Sequence, residues 1–350
     1  MRPETEPELS DLIRGAMSPV VVRGGGTRGV ALGAGDVLDT TGLRGVTLYE
    51  PGALTLVVRA GTGLAEVQAL LAGERQRLSF EVPDLRAILG RPGESTIGGV
   101  VAANASGPRR VQAGACRDSL LGVRFVDGAG TVVKNGGRVM KNVTGYDLVK
   151  LMAGSWGTLG VLTELSFRVL AIPQAVATVV VDCAAREAPG ILSKALGSPY
   201  DVSGAAWAEG RALVRVEGLS ASVAYRAQNL CALLGGRVEE VDWAVIRDLT
   251  PLASHEGDLW QIALRPSQAA DVAARLDAPL MMDWGGGRIT ARLPQGTDAR
   301  AKLAPYTGHA TRLSAGAGAF EPEPAAVHAL TSALRARFDP RGILNAGRLA

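Results

Sequence analysis

The sequence predicts an α+β protein of two main domains, and three observations support this prediction. Strand-like runs in the first half end in glycine-rich turns, whereas strands and amphipathic helices alternate in the second half. The chain has 350 residues, beyond the size at which one hydrophobic core stops growing. Pro173 marks the change, so we predict domains over 1–173 and 174–325, and a C-terminal helix and tail over 326–350 that return toward the first domain.

Short apolar runs define the first domain. Thr62 is the predicted N-cap of a helix in which Leu64, Val67, Leu70 and Leu71 fall at helical spacing. β-Branched residues between turn signals mark the strands. Strands are predicted at 20–23, 55–60, 122–127, 130–134 and 164–170.

The second domain alternates two kinds of element, which predicts helices layered on an antiparallel sheet. Gly235-Gly236 ends one helix, and Gly285–Gly287 is a hairpin-like turn. Strands are predicted at 176–182, 211–217, 237–242, 259–265, 279–284 and 288–293, with helices near 186–196, 222–234, 268–276 and 298–304. A final amphipathic helix is marked by Val327, Leu330, Leu334 and Phe338.

Charge and composition exclude several classes of protein. The net charge is +3, from 37 basic and 34 acidic residues without a basic run, so no nucleic-acid partner is expected. No stretch reaches the roughly 18 apolar residues of a membrane span, and the acidic start is unlike a signal peptide. We therefore expect a cytoplasmic protein with no transmembrane segment. Three scattered cysteines and three histidines predict no metal site.

A glycine-rich motif follows the first predicted strand. Residues 24–29 read GGGTRG and match the G-x-G-x-x-G pattern of nicotinamide-dinucleotide folds. Those folds need a helix directly behind the glycines, and the glycine-broken residues here do not predict one. A nest of backbone N–H groups needs no helix and can bind an anion. Taken alone, however, the motif favours an ordinary tight hairpin.

Two further glycine clusters change that interpretation. Residues 92–107 read PGESTIGGVVAANASG, and such small residues let a backbone approach a flat ligand closely. A helix-packing seam would account for the alanines but not for the paired glycines beside Thr96. Residues 154–160, GSWGTLG, repeat the pattern at a strand entrance. Together the three clusters predict a long, anionic, partly aromatic ligand held mainly by backbone groups.

Six segments, taken in order, resemble the FAD-linked oxidase family, which is related to vanillyl-alcohol oxidases and to D-lactate and glycolate dehydrogenases. They read VRGGGT (22–27), RAGTGL (59–64), PGESTIGGVVAANASG (92–107), CRDSLLGVRFV (116–126), GGRVMKNVTGYDLVKLMAGSWGTLGVLTE (136–164) and DPRGILNAGR (339–348). The chain most resembles the FAD-binding E subunit of bacterial glycolate oxidase, over essentially its whole length. The resemblance implies a PCMH-type FAD-binding domain of two α+β subdomains, followed by an α+β antiparallel-sheet cap domain.

The resemblance also implies which residues hold FAD. The pyrophosphate loop would be Gly24, Gly25, Gly26 and Thr27. The diphosphate and flavin would be lined by Pro92, Gly93, Thr96, Ile97, Gly98, Gly99, Asn104, Ser106 and Gly107, with Gly114, Asp118 and Gly122 farther along the cofactor. The adenine–ribose end or the ring edge would meet Gly157, Thr158, Gly160 and Val161. Some relatives attach FAD through a histidine in the first loop; here that loop holds Thr27, which implies non-covalent FAD.

The sequence departs from the family in its substrate half. Catalytic relatives carry an H-x-G-D-G-N-x-H stretch in the cap, and this chain has none. The usual Asn-Pro-Gly tail reads Asn345-Ala346-Gly347, and Trp156 stands where glutamate is common. No catalytic residue is assigned.

Several polar residues remain open to two interpretations. An arginine guanidinium can bind a substrate carboxylate through two parallel hydrogen bonds. For each candidate arginine, however, a solvent-exposed position without a binding role is the simpler interpretation. The candidates are Arg265, Arg288 and Arg292. The KNVTGYD segment could approach the flavin or tether a loop through Lys141, Asn142, Tyr146 and Asp147.

By resemblance, the chain is an FAD-binding subunit of a glycolate oxidase complex that oxidises glycolate, a 2-hydroxy acid, to glyoxylate. Its partners would be a homologous FAD-linked catalytic subunit and an iron–sulfur subunit, through which it could lie peripherally at the inner membrane. Two alternatives stay open: a self-sufficient FAD-dependent dehydrogenase of another small hydroxy acid, and a non-catalytic FAD-binding assembly subunit.

Overall fold

The first part of the chain forms a small sheet and a larger one. The computed structural model describes residues 1–28, 33–138, 145–314 and 318–348. The strands are β1 (Val20–Arg23), β2 (Asp36–Asp39), β3 (Val46–Glu50), β4 (Thr55–Arg59), β5 (Gln76–Leu78), β6 (Leu120–Val126), β7 (Val132–Gly136) and β8 (Val161–Ala171). The helices are α1 (Glu6–Gly15), α2 (Leu64–Gly73), α3 (Arg86–Leu89), α4 (Ile97–Ala102), α5 (Arg110–Ala113), α6 (Cys116–Ser119) and α7 (Leu148–Met152).

The second part forms one eight-stranded sheet with helices against it. Its strands are β9 (Ala175–Asp182), β10 (Val202–Ala208), β11 (Arg211–Gly218), β12 (Arg237–Glu239), β13 (Asp258–Leu264), β14 (Leu280–Asp283), β15 (Arg288–Leu293) and β16 (Gly308–Arg312). Its helices are α8 (Ala188–Leu196), α9 (Ser220–Leu234), α10 (Trp243–Arg247), α11 (Ala269–Leu276) and α12 (Ala299–Leu303), and α13 (Ala325–Phe338) follows.

The larger sheet of the first part is antiparallel and has the order β3-β4-β8-β6-β7, with β5 on the far end of β8. Apolar side chains of β4, β6 and β8 fill its core, where Leu56, Phe125 and Phe167 are fully buried. The small sheet pairs β1 with β2 in parallel. The described residues between these two strands contain no helix, and residues 29–32 lie outside the described part.

Thr62 is not the N-cap of α2, so that prediction is wrong. The helix begins after Gly63, which has no side chain to cap it. The Thr62 hydroxyl instead accepts a hydrogen bond from the backbone N–H of Gly45 at 2.9 Å. Thr62 is fully buried, and this contact satisfies its hydroxyl and a loop amide together.

The second sheet has the order β12-β9-β11-β10-β14-β15-β13-β16, and all of its pairings are antiparallel. The sequence prediction missed β10, β16 and α10 in this part, and β2, β3, β5 and α1 in the first part. Strand β10 reads VSGAAWA, whose alanines and glycine favour strands weakly, and pairing with β11 and β14 fixes it. The proposed domain boundary at Pro173 lies between the end of β8 and the start of β9.

The C-terminal tail lies on the first part. Helix α13 ends at Asp339, whose carboxylate accepts a hydrogen bond from Leu344 N–H at 2.7 Å. The tail then runs beside β1, because Val20 N–H donates to the Ile343 carbonyl and Asn345 N–H donates to the Val20 carbonyl.

A buried cluster of charges joins the two sheets. Arg215 on β11 contacts Glu81 at 2.8 Å, and Arg109 contacts Glu217 on β11 at 2.8 Å. Arg77 adds a third guanidinium, 3.0 Å from Glu217. Burial raises the pKa of Glu217, but the hydrogen bond from Arg109 and the charge of Arg215 outweigh it and lower this pKa to about 2. Removing one charged side chain of this cluster leaves a buried charge without its partner, which strongly destabilises the folded state.

We predict that Glu217→Gln lowers the free energy of unfolding at pH 7 by about 3–5 kcal/mol, the range for a broken buried ion pair. The folded pKa of Glu217 lies below the roughly 4.3 of an unfolded glutamate, so its stabilisation is complete above about pH 5 and is lost toward pH 2. Denaturant titrations between pH 7 and pH 3 should show the difference in unfolding free energy from wild type narrowing, with most of the change below about pH 4. Glu66→Gln, in the exposed pair with Arg44, is the matched control and should change little; equal losses in both variants would contradict the role of the cluster.

Candidate functional site

A groove in the first part brings the three glycine clusters together. It lies between the loop after β1, the start of α4 and the loop before β8, and its empty volume is about 970 Å³ including the open mouth. The predicted residues that line it are Gly24, Gly25, Gly26, Thr27, Thr96, Gly98, Gly99, Gly157 and Gly160.

The loop after β1 offers a run of unused donors. Among the described residues, no acceptor is recorded for the backbone N–H groups of Gly24, Gly25, Gly26 and Thr27. Gly26 has φ +69°, a left-handed conformation that glycine adopts freely. Successive N–H groups in such a turn can form a concave anion-binding nest.

The glycines of this loop also serve protein packing. A Cβ on Gly25 would lie 1.6 Å from the Glu94 carbonyl oxygen, and one on Gly24 would lie 2.4 Å from Thr96 Oγ1. The loop is therefore pressed directly onto the segment before α4. This close approach is what brings the first and second glycine clusters onto one groove.

The paired glycines of α4 differ in their surroundings. A Cβ on Gly98 would meet the Ala60 carbonyl oxygen at 2.7 Å, so Gly98 allows helix and strand end to pack closely. A Cβ on Gly99 would meet only Thr96 Oγ1, at 3.2 Å, and Gly99 lines the groove. The Thr96 hydroxyl caps α4 by accepting from Gly99 N–H. Of these two glycines, Gly99 is therefore the one at which a side chain would project into the groove.

The third cluster is fixed by the C-terminal tail. Asn345 donates through Nδ2 to the Trp156 carbonyl at 2.7 Å and accepts from Val22 N–H at 2.9 Å. Trp156 has φ +53°, a strained conformation for a bulky residue that surrounding contacts must hold. Its ring packs edge-on against Phe320, with the Arg348 guanidinium 5.8 Å from the ring centroid.

Arginines make the groove positive. Arg23, Arg28, Arg91 and Arg348 line it, and its described lining residues include no carboxylate. Arg28 Nη2 and Arg348 Nε are buried without a hydrogen-bond partner among the described residues. Desolvation lowers the pKa of Arg28 to about 10, so it stays protonated at neutral pH. These arginines and the wall formed by Trp156 were not predicted from the sequence, although Arg28 directly follows the glycine loop and Arg348 ends the DPRGILNAGR segment.

Other predicted cofactor residues hold the protein together around the groove. Ser106 Oγ accepts from Cys116 N–H, Asn104 Oδ1 accepts from Arg117 N–H, and Asp118 accepts from Ala115 N–H. Gly114 packs on Asp118, and Gly122 packs on the backbone of Gly137. None of these residues, nor Gly107, lines the groove as described.

The remaining predicted residues lie beside the groove or beneath it. Pro92 and Gly93 are exposed, although a Cβ on Gly93 would meet the Gly25 carbonyl oxygen at 2.7 Å. Ile97 and Val161 are fully buried in separate core clusters. Thr158 donates its hydroxyl to the Ser155 carbonyl.

The candidate carboxylate-binding arginines have other contacts. Arg288 is buried against Asp283 at 2.5 Å and donates to the Ser106 carbonyl, and Arg292 donates to the carbonyls of Ile88 and Gly257. The prediction that Arg288 and Arg292 are simply solvent-exposed is therefore wrong for both residues. Arg265 is exposed.

The KNVTGYD segment is only partly described. Lys141 and Asn142 lie outside the described residues. Tyr146 is 89% exposed, and Asp147 caps α7 by accepting from Lys150 N–H. The described residues of the segment thus tether the loop rather than face the groove.

The described residues form neither a metal-binding cluster nor a membrane-spanning helix. No group of three or more histidine, cysteine or acidic side chains in the described ranges is placed to hold a metal ion. Within the same ranges, no helix is both long and apolar enough for a membrane span.

Comparisons with known proteins agree with the geometry. Residues 1–136 match the FAD binding domain family. The chain is 36% identical to glycolate oxidase subunit GlcE of Escherichia coli over 342 residues, which cover 95% of this chain and 93% of the relative. It is 34% identical to a D-lactate dehydrogenase of Anaerostipes hadrus over 154 residues, 43% of this chain and 30% of that enzyme.

The fold has a solved counterpart. An alkyldihydroxyacetonephosphate synthase structure superposes with a TM-score of 0.72 at 16% identity, over 99% of this chain and 76% of the other. This likeness confirms the predicted α+β fold class. The family resemblance seen in the sequence is likewise confirmed: the chain belongs to the FAD-dependent oxidoreductases that include glycolate oxidase subunit GlcE, and its cofactor is FAD.

Proposed function

We propose that this chain is the FAD-binding subunit of a complex that oxidises glycolate or a closely related 2-hydroxy acid. The observation that carries the proposal is the likeness to a glycolate oxidase subunit along 93% of that subunit's length. The similarity to a D-lactate dehydrogenase supports a small 2-hydroxy acid as the substrate class.

The groove fits FAD by its donors and its shape. The N–H groups of Gly24–Thr27, for which the described residues provide no recorded acceptor, suit the two charges of a diphosphate. Arg28 and Arg348 each add a cationic nitrogen that has no hydrogen-bond partner among those residues. Gly99 leaves room beside α4 for a flat group. Thr27 offers a hydroxyl that contacts Ser95 Oγ at 2.8 Å, so we propose that FAD is held without a covalent bond.

FAD supplies a two-electron acceptor to this chemistry when bound. The substrate hydride would pass to it, and the hydroxyl proton would need a base. In this chain Arg288 and Arg292 dock the cap sheet, and the histidine-rich cap motif of catalytic relatives is absent. We therefore propose that a homologous FAD-linked subunit binds the hydroxy acid and that an iron–sulfur subunit accepts the electrons, in the cytoplasm or against the inner membrane through those partners.

Acid precipitation tests the mode of FAD attachment. We predict that trichloroacetic acid leaves the flavin absorbance in the supernatant, because no covalent link holds the cofactor. A yellow pellet after washing would contradict this prediction.

Gly99→Leu tests the position of the cofactor. A leucine side chain would fill the groove beside Thr96, so we expect FAD affinity to fall about tenfold or more, equivalent to about 1.4 kcal/mol. Gly190→Leu is the control, because that helical glycine is exposed and has open space around it. Fluorescence titration with FAD measures the affinity of both variants, and circular dichroism reports whether they fold. An unchanged FAD affinity in a folded Gly99→Leu variant would contradict the placement of FAD in this groove.

Substrate-dependent bleaching tests the division of labour. We predict that glycolate reduces the flavin of the isolated chain about tenfold or more slowly than that of the assembled complex, a barrier difference of about 1.4 kcal/mol. Fast bleaching of the isolated chain would instead support a self-sufficient dehydrogenase. A flavin that never bleaches in a fully active complex would support a structural role.

A further inference from the structure

A second cavity lies beside the buried charge cluster, where the two parts of the chain meet. Its lining comes from β5, α6 and β8 of the first part and from Glu217, Gly218 and Leu219 of the second. Its empty volume is about 1320 Å³ including the open mouth. Among the described residues, none lines both this cavity, here named the junction cavity, and the groove proposed for FAD.

The charge cluster has one more positive group than negative groups. Three guanidiniums share two carboxylates, with Arg77, Arg109 and Arg215 set against Glu81 and Glu217. Glu217 is the one described carboxylate within ion-pair distance of Arg77, and it also serves the other two arginines. Burial lowers the pKa of Arg77, and the charge of Arg109 lowers it further, since Glu217 compensates only in part. Arg77, which lines the junction cavity, is therefore the member left under-neutralised.

Unused donors accompany this charge in the lining. The Ser79 hydroxyl is buried, with the residue only 4% exposed, and it has no hydrogen-bond partner among the described residues. Arg77 Nε also lacks a partner there, and the Arg77 side chain is 23% exposed. Helix α9 begins directly after Leu219, which has no polar side chain to cap it, and an uncapped helix N-terminus favours an anion. A buried donor left unpaired is costly unless a ligand satisfies it.

The rest of the lining restricts the kind of anion. Asp118 and Arg168 add one charge of each sign, so they do not cancel the excess positive charge of the cluster. The carboxylates of Asp118 and Glu217 would repel a dianion, whereas one negative charge matches the excess. Ile172 and Leu219 are exposed, Leu219 by 63%, and they give the cavity an apolar side. This combination favours a monocarboxylate with a hydrocarbon group over phosphate or sulfate.

We propose that the junction cavity binds a small monocarboxylate that carries an apolar group. Its carboxylate pairs with Arg77 and accepts a hydrogen bond from the Ser79 hydroxyl, and its hydrocarbon group packs on Leu219. Arg77 and Ser79 belong to the first part and Leu219 to the second, so the bound anion stabilises their docked arrangement. This site is separate from the groove and does not depend on the proposed function.

The test is isothermal titration calorimetry of the whole FAD-loaded chain with sodium butanoate, sodium acetate and sodium succinate. We expect saturable binding of butanoate that raises the unfolding temperature, weaker binding of acetate, and no saturable binding of the dianion succinate. Ser79→Ala should weaken butanoate affinity about tenfold, the effect of losing one hydrogen bond to a charged group. Arg77→Gln should remove saturable binding, because it takes away the charge.

Two further variants complete the design. Leu219→Ser should reduce the preference for butanoate over acetate, because it removes the apolar surface. Arg44→Gln is the control, since Arg44 forms an exposed ion pair with Glu66 outside the cavity and should leave butanoate affinity unchanged.

Three outcomes would overturn the proposal. Wild type could show no saturable butanoate binding, Ser79→Ala and Arg77→Gln could bind butanoate as tightly as wild type, or succinate could bind as tightly as butanoate, which would assign the cavity to dianions. Circular dichroism monitors folding. Should Arg77→Gln not fold, Ser79→Ala and Leu219→Ser decide, because neither removes a charge from the cluster. The titration needs no turnover, so a failed substrate assignment cannot mimic any of these results.

Discussion

The side-chain amide of Asn345 is the contact on which the groove depends. It joins Val22, 323 residues earlier in the sequence and near the end of β1, to Trp156 in the third glycine cluster. Asn345 is only 2% exposed. The amide can do this because asparagine tolerates the left-handed conformation found here, φ +45°. One wall of the groove is therefore positioned by a contact from the C-terminal tail.

A second constraint governs how the two sheets meet. The shortest ion pairs among Glu81, Arg109, Arg215 and Glu217 cross from the first part to β11, with Arg215 at 2.8 Å from Glu81 and Arg109 at 2.8 Å from Glu217. Arg288 and Trp284 add hydrogen bonds to the carbonyls of Ser106 and Gly107, so the cap sheet is tied to the segment just after the second glycine cluster. Arg288 and Trp284 therefore make contacts between the two parts of the chain and are not free to bind a substrate. This is consistent with the proposal that the chain is an FAD-binding subunit of a larger complex.

Much of this architecture could be predicted from sequence, because glycine placement and hydrophobic periodicity report on local geometry. The three glycine clusters do meet, and most strands lie where β-branched runs predicted them. Arg28 could not be singled out among 32 arginines, since its importance arises from burial and an unpaired nitrogen. Nor could the pattern show that Gly25 and Gly98 are needed for backbone packing, because Glu94 and Ala60 approach them only in the folded chain.

The most direct test of the central claim, that FAD lies along this groove with its diphosphate at the Gly24–Thr27 loop, is a crystal structure of the flavin-loaded protein. We expect phosphate oxygens within hydrogen-bond distance of the loop N–H groups and the flavin ring within the groove lined by Gly99. Density for FAD elsewhere in the molecule, with the Gly24–Thr27 amides in contact with solvent alone, would contradict the claim.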